Sequence, residues 1–127
     1  MDYKNLLKKA KQVSKKAYAP YSNFKVGACL VTENDTEICG CNFENSSYGL
    51  TICAERNAVG TAIAKGHKAI KAIAIYSPNQ DDCTPCGACR QVLAEFQSKN
   101  GMEIITEIDN EPHIYQLNDL LPKGFKL

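Results

Sequence analysis

The chain has 127 residues, and its 15 basic and 14 acidic side chains leave a net charge of +1. Apolar residues make up 44% and charged residues 23%, which is typical of a soluble globular protein and not of a disordered one. The charge balance argues against a nucleic-acid partner, and the lack of a long apolar run argues against a membrane partner. We expect one domain over residues 1–127 and, because no secretion signal is recognisable, a cytoplasmic location.

The first half of the sequence predicts two helices that flank a pair of strands. Apolar residues at helical spacing predict an amphipathic helix over residues 3–17, whose lysines we interpret as a solvated face. Two strands are predicted next, over residues 26–32 and 37–43, around a polar turn. A second helix is predicted from near Thr51 to near Gly66, a glycine that suits a left-handed C-terminal cap.

The second half predicts a strand, a helix and two further strands. The apolar run at 70–77 is typical of a buried central strand. Thr84 is a candidate cap for a third helix that closes at Gly101. Short strands are predicted at 103–108 and 113–116. This order of elements favours an α/β fold in which helices pack on the faces of a mixed sheet.

Seven cysteines are the unusual feature of the composition. An odd number cannot all pair within one chain, and clustered thiols in a reducing compartment usually bind metal or take part in catalysis. Cys53 lies at the predicted start of the second helix, and Cys86 and Cys89 lie in the predicted first turn of the third. Helix N-termini favour thiolates, and three thiolates would leave one zinc position open to water, as in catalytic zinc sites.

Two charged residues follow Cys53 closely. Glu55 could reach over the metal without binding it, and a carboxylate beside metal-bound water can shuttle protons. Three thiolates and a divalent ion leave one excess negative charge. Arg56 is therefore either a donor of hydrogen bonds to these sulfurs or a plain surface residue.

The cysteine pattern alone leaves two alternatives open. Cys83 could add a fourth thiolate and close a structural zinc site, and the Cys86–Cys89 pair could be a redox pair of the thioredoxin type. The remaining three cysteines lie in predicted strands, where we expect small buried side chains: Cys29, Cys39 and Cys41.

Taken together, the motifs resemble those of the cytidine deaminase family, most closely its small free-nucleoside members. The resemblance spans residues from about 18 to 97 and, more loosely, the C-terminal tail. It is carried by these segments: Cys53-Ala54-Glu55, Pro85-Cys86-Gly87-Ala88-Cys89-Arg90-Gln91, Tyr21–Ala28, Asn42–Asn45 and Tyr48-Gly49. It implies a three-layer α/β/α fold with a five-stranded mixed sheet. It also implies hydrolytic deamination of cytidine and deoxycytidine to uridine and deoxyuridine, with release of ammonia, in pyrimidine salvage.

The resemblance assigns the chemistry to four residues. It implies that Cys53, Cys86 and Cys89 hold one Zn²⁺ per chain, and that the activated water attacks C4 of the pyrimidine. It further implies that Glu55 takes the proton of that water, delivers it to N3 and later protonates the departing amine.

Six further residues are implied to contact the nucleoside, two of them across a subunit interface of a homotetramer. The ribose readers are Asn42 and Glu44, the base contacts are Phe24 and the backbone N–H of Ala54, and the interface residues are Tyr48 and Phe125. Strand capping remains an alternative for the ribose readers, and core packing for the two phenylalanines. The motifs also leave open a deaminase of cytosine-containing antibiotic nucleosides and a non-catalytic zinc module.

Overall fold

The chain builds a five-stranded mixed sheet that carries helices on both faces. The structure, a computed structural model, describes residues 1–127. In chain order its elements are α1 (Tyr3–Ser14), β1 (Gly27–Thr32), β2 (Glu37–Cys41), a short 3-10 helix (Tyr48–Leu50), α2 (Ala54–Ala64), β3 (Ile70–Tyr76), α3 (Gly87–Glu95), β4 (Glu103–Ile108), β5 (Glu111–Gln116) and α4 (Leu117–Leu120). The strand order is β2-β1-β3-β4-β5, and only β3 and β4 run parallel. The α/β class and the five-stranded mixed sheet are confirmed.

Two separate apolar layers follow from the alternation of side chains along the strands. Cys29 and Val31 of β1 face α1, where they pack with Leu6 and Leu7. Leu30, between them in sequence, faces the opposite side and packs with α2, α3 and α4. The fold is therefore a three-layer α/β/α arrangement, and the site described below lies on the α2–α3 side. None of the helices is both long and apolar enough to cross a membrane.

The crossover from β3 through α3 to β4 positions the beginning of α3. Because β3 and β4 are parallel neighbours, the chain must return along the sheet, and α3 provides that return on the same face as α2. The loop after β3 therefore delivers the N-terminus of α3 close to that of α2.

The ends of the first two helices were predicted with mixed success. Gly66 has φ +88°, which confirms the left-handed cap after α2. The first helix, however, ends at Ser14 and not at residue 17. The chain turns there, and the N–H of Tyr18 donates to the carbonyl of Asn42 at 3.0 Å, a bond that a longer helix would prevent.

The predicted end of β2 and the predicted start of α2 are wrong by a few residues. β2 ends at Cys41 and not at 43, and α2 begins at Ala54 and not near Thr51. The reason is a backbone bridge: Phe43 and Ile52 exchange both of their hydrogen bonds, at 3.1 and 3.0 Å. The intervening chain forms the rim of the site.

The third helix is shorter at both ends than predicted. Its N-cap is Cys86, so Thr84 does not cap it, and it ends at Glu95. Gly101, with φ +90°, belongs to a separate turn just before β4. The last strand begins two residues earlier than predicted, at Glu111, and α4 was not predicted at all.

Close packing of α2 on β2 gives a stability prediction. A Cβ on Gly40 would lie 2.7 Å from the Ala58 nitrogen and 2.9 Å from the Ala54 carbonyl oxygen. We expect Gly40→Ala to lower the free energy of unfolding by about 1–3 kcal/mol, measured by urea denaturation. Gly60→Ala is the matched control, since its Cβ would meet no atom within 4 Å, and we expect it to stabilise α2 by about 0.5–1 kcal/mol. Equal midpoints for the two variants would contradict this packing.

Candidate active site

Three cysteine sulfurs converge where α2 and α3 begin. Cys53 is the N-cap of α2, Cys86 is the N-cap of α3, and Cys89 lies in the first turn of α3. Their Sγ atoms all lie within 4.8 Å of one another. Neither N-cap side chain bonds to its own helix, so these sulfurs remain available as ligands. Three clustered thiols at two helix N-termini suit a soft divalent cation such as zinc.

Arg56 contacts this sulfur cluster. Its Nη2 donates to the Sγ of Cys53 at 3.5 Å and to the carbonyl of Thr51 at 3.4 Å. A hydrogen bond from the Cys89 thiol, reinforced by the Arg56 guanidinium, lowers the pKa of Cys53 to about 5. The same bond raises the pKa of Cys89. Cys53 is thus more acidic than Cys89.

Glu55 lies beside the cluster without belonging to the group of three sulfurs. It occupies the first turn of α2, and only 5% of it is exposed. Burial raises the pKa of this carboxyl to about 7. A carboxyl that gains and loses a proton near neutral pH is suited to general acid–base chemistry.

Cys83 does not join the cluster as a fourth sulfur. The group of close donor atoms contains three residues only, and Cys83 instead lies half-buried in the wall of the adjoining cavity. Burial raises the pKa of this thiol to about 11. A closed four-thiolate zinc site would therefore lack its fourth ligand. A redox pair of Cys86 and Cys89 would not explain why the Cys53 sulfur lies beside them.

The other cysteines correct one sequence-based expectation. Cys29 is fully buried and Cys41 is half-buried, but Cys39 is exposed. The prediction of a buried side chain is wrong for Cys39, because β2 is an edge strand and its alternate residues face solvent.

A cavity of about 290 Å³ opens against the sulfur cluster. This is close to the lower end of the range for small-molecule pockets, roughly 300–1,000 Å³. The predicted site residues that line it are Phe24, Asn42, Glu44, Cys53, Ala54, Glu55 and Cys86. Residues separated by up to 62 positions in the chain therefore meet around one small space.

Glu44 is held in place by the 21–22 segment. Its carboxylate accepts from the backbone nitrogens of Tyr21 at 3.0 Å and Ser22 at 3.2 Å, and from the Ser22 hydroxyl. The hydroxyl, followed by the two N–H groups, keeps the pKa of Glu44 below its usual value. Sequence reasoning missed Ser22, although it lies within a motif that had been singled out.

Asn42 bonds to the backbone on either side of Lys25. Its Nδ2 donates to the carbonyl of Phe24 and its Oδ1 accepts from the N–H of Val26, both at 2.8 Å. These bonds fix the segment that carries the Phe24 ring. The second hydrogen of Nδ2 and the second lone pair of Oδ1 are not used by these two bonds.

Two side chains that sequence reasoning assigned no role fix the loop before Cys86. Arg90 donates to the carbonyls of Pro85 at 2.7 Å and Leu120 at 2.9 Å. Asp82 accepts from the hydroxyls of Thr106 at 2.7 Å and Tyr115 at 2.9 Å. Arg90 lies in the Pro85–Gln91 motif, so the sequence could have indicated that it has a role. The partners of Asp82 lie 24 and 33 residues away, beyond what a local pattern can indicate.

Tyr48 and Phe125 do not line the cavity within one chain. Tyr48 is 75% exposed and Phe125 is 70% exposed. The Tyr48 ring packs at a tilt of 56° on Tyr21, with ring centroids 5.9 Å apart, and the carbonyl of Phe125 accepts from Gln91 at 2.8 Å. Their predicted role across a subunit interface stays a prediction.

Comparison with known proteins connects this geometry to a family. Residues 1–103 match the family model described as the cytidine and deoxycytidylate deaminase zinc-binding region. The chain is 40% identical over 125 residues to a cytidine deaminase of Sporosarcina psychrophila, covering 98% of this chain and 92% of that relative. It is also 39% identical over 127 residues to a cytidine deaminase of Mycobacterium tuberculosis strain H37Rv, covering 100% and 92%.

A solved structure is similar over nearly the whole chain. The crystal structure of a cytidine deaminase from Burkholderia pseudomallei aligns with a TM-score of 0.90 and 44% identity, and the match covers 98% of this chain and 100% of that one. Because the family model covers most of the chain and the relatives match it over nearly its full length, the chain belongs to the cytidine and deoxycytidylate deaminase family of hydrolytic enzymes.

Proposed function

We propose that this chain deaminates cytidine and deoxycytidine by hydrolysis, giving uridine and deoxyuridine and releasing ammonia, with one zinc ion per chain. We further propose that residues 1–127 act as one catalytic domain, in the cytoplasm and in pyrimidine salvage. The observation that carries the proposal is the buried carboxyl of Glu55 next to three sulfurs within 4.8 Å of one another, beside a cavity of about 290 Å³ that Glu55, Cys53 and Cys86 help to line.

The donor set fits zinc. The sulfurs of Cys53, Cys86 and Cys89 are soft ligands of the type that zinc prefers, and no fourth thiol joins them. When bound, zinc would supply Lewis acidity that lowers the pKa of a coordinated water toward neutrality. Arg56 supports the same site, because its guanidinium offsets part of the thiolate charge through the Cys53 sulfur.

Glu55 moves the protons in the proposed reaction. Its carboxylate accepts a proton from the attacking water and gives it to N3 of the pyrimidine. It then takes the proton of the hydroxyl group now bonded to C4 and passes it to the amine, which leaves as ammonia while the C4 carbonyl forms. Burial suits this role because it raises the pKa of the carboxyl to about 7, so that the group can accept and return a proton near neutral pH. Glu44 is the only other carboxylate in the cavity wall, and its hydrogen bonds to Tyr21 and Ser22 already engage it.

The remaining cavity residues orient the nucleoside. The N–H of Ala54 has no partner within α2, as expected for a first helical residue, and it can donate to the base carbonyl. The Phe24 ring provides a face for the base. Glu44 can accept from ribose hydroxyls, and Asn42 retains one free N–H for the same purpose.

We infer a homotetramer in which Tyr48 and Phe125 reach the base pocket of neighbouring subunits. Both aromatic side chains are mostly exposed, together with Leu50 beside Tyr48, and large exposed apolar groups are typical of protein–protein contacts. Sedimentation equilibrium tests the assembly. A monomer at micromolar concentration would contradict it without affecting the assignment of the zinc ligands.

The decisive experiment measures zinc and activity on the same purified sample. We expect one zinc per chain and a loss of the cytidine absorbance band during incubation, with ammonia formed in equal amount. Stoichiometric zinc without turnover of either nucleoside would favour a non-catalytic zinc module. Turnover that persists after full removal of zinc by a chelator would contradict the proposed metal dependence.

Loss of the Glu44 carboxylate should weaken ribose recognition specifically. We expect Glu44→Ala to lower kcat/KM for cytidine about 10- to 100-fold, the range for a lost hydrogen bond to a charged group. The preference of the wild type for cytidine over 3′-deoxycytidine should largely disappear in the variant. Glu95→Ala, an exposed position at the end of α3, is the control. An unchanged preference would show that Glu44 does not read the 3′ hydroxyl.

A further inference from the structure

Two cysteines that the proposed reaction does not use lie opposite each other on neighbouring strands. Cys29 of β1 and Cys39 of β2 are direct partners in the antiparallel register. Partners in such a pair point to the same face of the sheet, here the face on which α1 packs over Cys29 while Cys39, at the edge, stays exposed. The two thiols are therefore adjacent although ten positions separate them in the sequence.

The hydrogen-bond pattern places this cysteine pair in the closer of the two kinds of antiparallel pair. Backbone bonds join Asn42 to Val26 at 3.3 Å and Thr32 to Thr36 at 2.9 Å, in the same register. Both bonded pairs are three positions from the cysteine pair, and bonded and non-bonded pairs alternate. The cysteines thus form a non-hydrogen-bonded pair, for which Cα atoms lie about 4.5 Å apart. A disulfide spans Cα distances of roughly 4.4–6.8 Å.

The two thiols differ in exposure and in acidity. Cys29 is fully buried beneath α1, whereas Cys39 is exposed at the edge of the sheet. A hydrogen bond from the Cys29 thiol, supported by the ammonium of Lys9, lowers the pKa of Cys39, and the nearby Glu37 carboxylate opposes this. The pKa of Cys29 is raised by the same hydrogen bond. The exposed Cys39 sulfur is therefore the one that reacts first with an oxidant, and the buried Cys29 sulfur is the resolving thiol.

We propose that Cys39 and Cys29 form an oxidisable dithiol that closes to a cross-strand disulfide when a small peroxide reaches Cys39. The Cys39 thiolate attacks one oxygen of hydrogen peroxide and the O–O bond breaks, which leaves a sulfenic acid on Cys39. The departing hydroxide takes up the proton that the Cys39 thiol released on ionising and becomes water. The Cys29 sulfur then attacks the sulfenic sulfur, the S–S bond forms, and a second water leaves with the thiol proton. Two thiols supply two electrons, and one peroxide becomes two waters.

The position of this dithiol separates it from the zinc site. The two cysteine side chains lie on the α1 side of the sheet, whereas the next residue of β2, Gly40, faces α2 and the site side. Closure would tie the edge strand β2 to β1 without displacing a cavity residue. We therefore expect the oxidised protein to keep its deaminase turnover and to show a higher midpoint of thermal unfolding than the reduced protein.

The test uses the zinc-loaded protein and one equivalent of hydrogen peroxide, followed by alkylation of free thiols. Cleavage after Glu33 and Glu37 separates the two cysteines, so the disulfide appears as a linked peptide pair lighter by two hydrogens. We expect this pair in the wild type and its loss on treatment with a phosphine reductant. In Cys29→Ala, a dimedone adduct should accumulate on Cys39, because the sulfenic acid has no partner.

Cys41→Ser is the matched control, since Cys41 lies opposite Gly27 and has no thiol across the strand. It should form the same linked peptides as the wild type, whereas Cys39→Ser should form none. The proposal is overturned if Cys39 is recovered unlinked, as a free thiol or a sulfinic acid, after the peroxide has been consumed. It is equally overturned if the linked cysteine is Cys41.

Discussion

Replacement of Glu55 by glutamine should lower kcat for cytidine by about 10²–10⁴-fold or more while zinc content stays at the wild-type level. Glutamine keeps the size of the side chain and one hydrogen-bonding oxygen but cannot accept and return a proton. Since Glu55 is outside the group of three sulfurs, its loss should not release the metal. Steady-state kinetics and zinc analysis on the same preparation check both parts of this result.

Glu95→Gln is the control for that experiment, because this carboxylate is exposed and lies outside the cavity. It should keep wild-type kinetics. Should Glu55→Gln retain full turnover, the proton-transfer role would be wrong. Should it instead lose zinc, Glu55 would have to be counted among the zinc ligands, and the proposal that one zinc position stays open to water would be wrong.

Substitution of one cluster cysteine should remove zinc and activity together. We choose Cys86→Ser because Cys86 is exposed at the start of α3, so that the change leaves the apolar core intact. We expect zinc affinity to fall by more than about 100-fold, beyond the loss typical for residues that only orient a ligand. Metal analysis after dialysis against a chelator, with circular dichroism for the fold, measures this.

Cys83→Ser is the matched control, three positions earlier in the same loop and in the wall of the same cavity. It should retain one zinc per chain, because its sulfur is not part of the cluster. Loss of zinc in both variants would instead indicate a closed zinc site in which Cys83 is the fourth ligand. Retention in both would mean that Cys86 is not a ligand.

The local parts of this fold and site were readable from the sequence. The run predicted as a strand at 70–77 forms the central strand β3, which ends one residue earlier, at Tyr76, and Gly66 caps α2 as predicted. Both features depend on a few neighbouring residues, so a local pattern is enough to indicate them. The cysteines at 53, 86 and 89 could be assigned to helix beginnings for the same reason, although Cys86 is the N-cap and not a first-turn residue. Their convergence within 4.8 Å required the family resemblance, since spacing alone also allowed other sites.

What the sequence did not indicate depends on contacts between distant segments. The exposure of Cys39 follows from the edge position of β2, which is a property of the whole sheet. The bonds of Arg90 to Pro85 and Leu120, and of Asp82 to two strands, join segments with no common pattern. Likewise, the amide of Asn42 has two backbone partners that only the folded chain brings within reach.

The two helix caps that contribute sulfurs are 33 positions apart, with the whole of β3 between them. An ion can bridge Cys53 and Cys86 only after the strands have paired and both helices have docked, which is late in assembly. Metal loading should accordingly prolong the lifetime of the native protein by slowing its unfolding, with little influence on how fast the chain folds. Cells short of zinc would then lose this protein to proteolysis sooner, even though they synthesise and fold it at the usual pace.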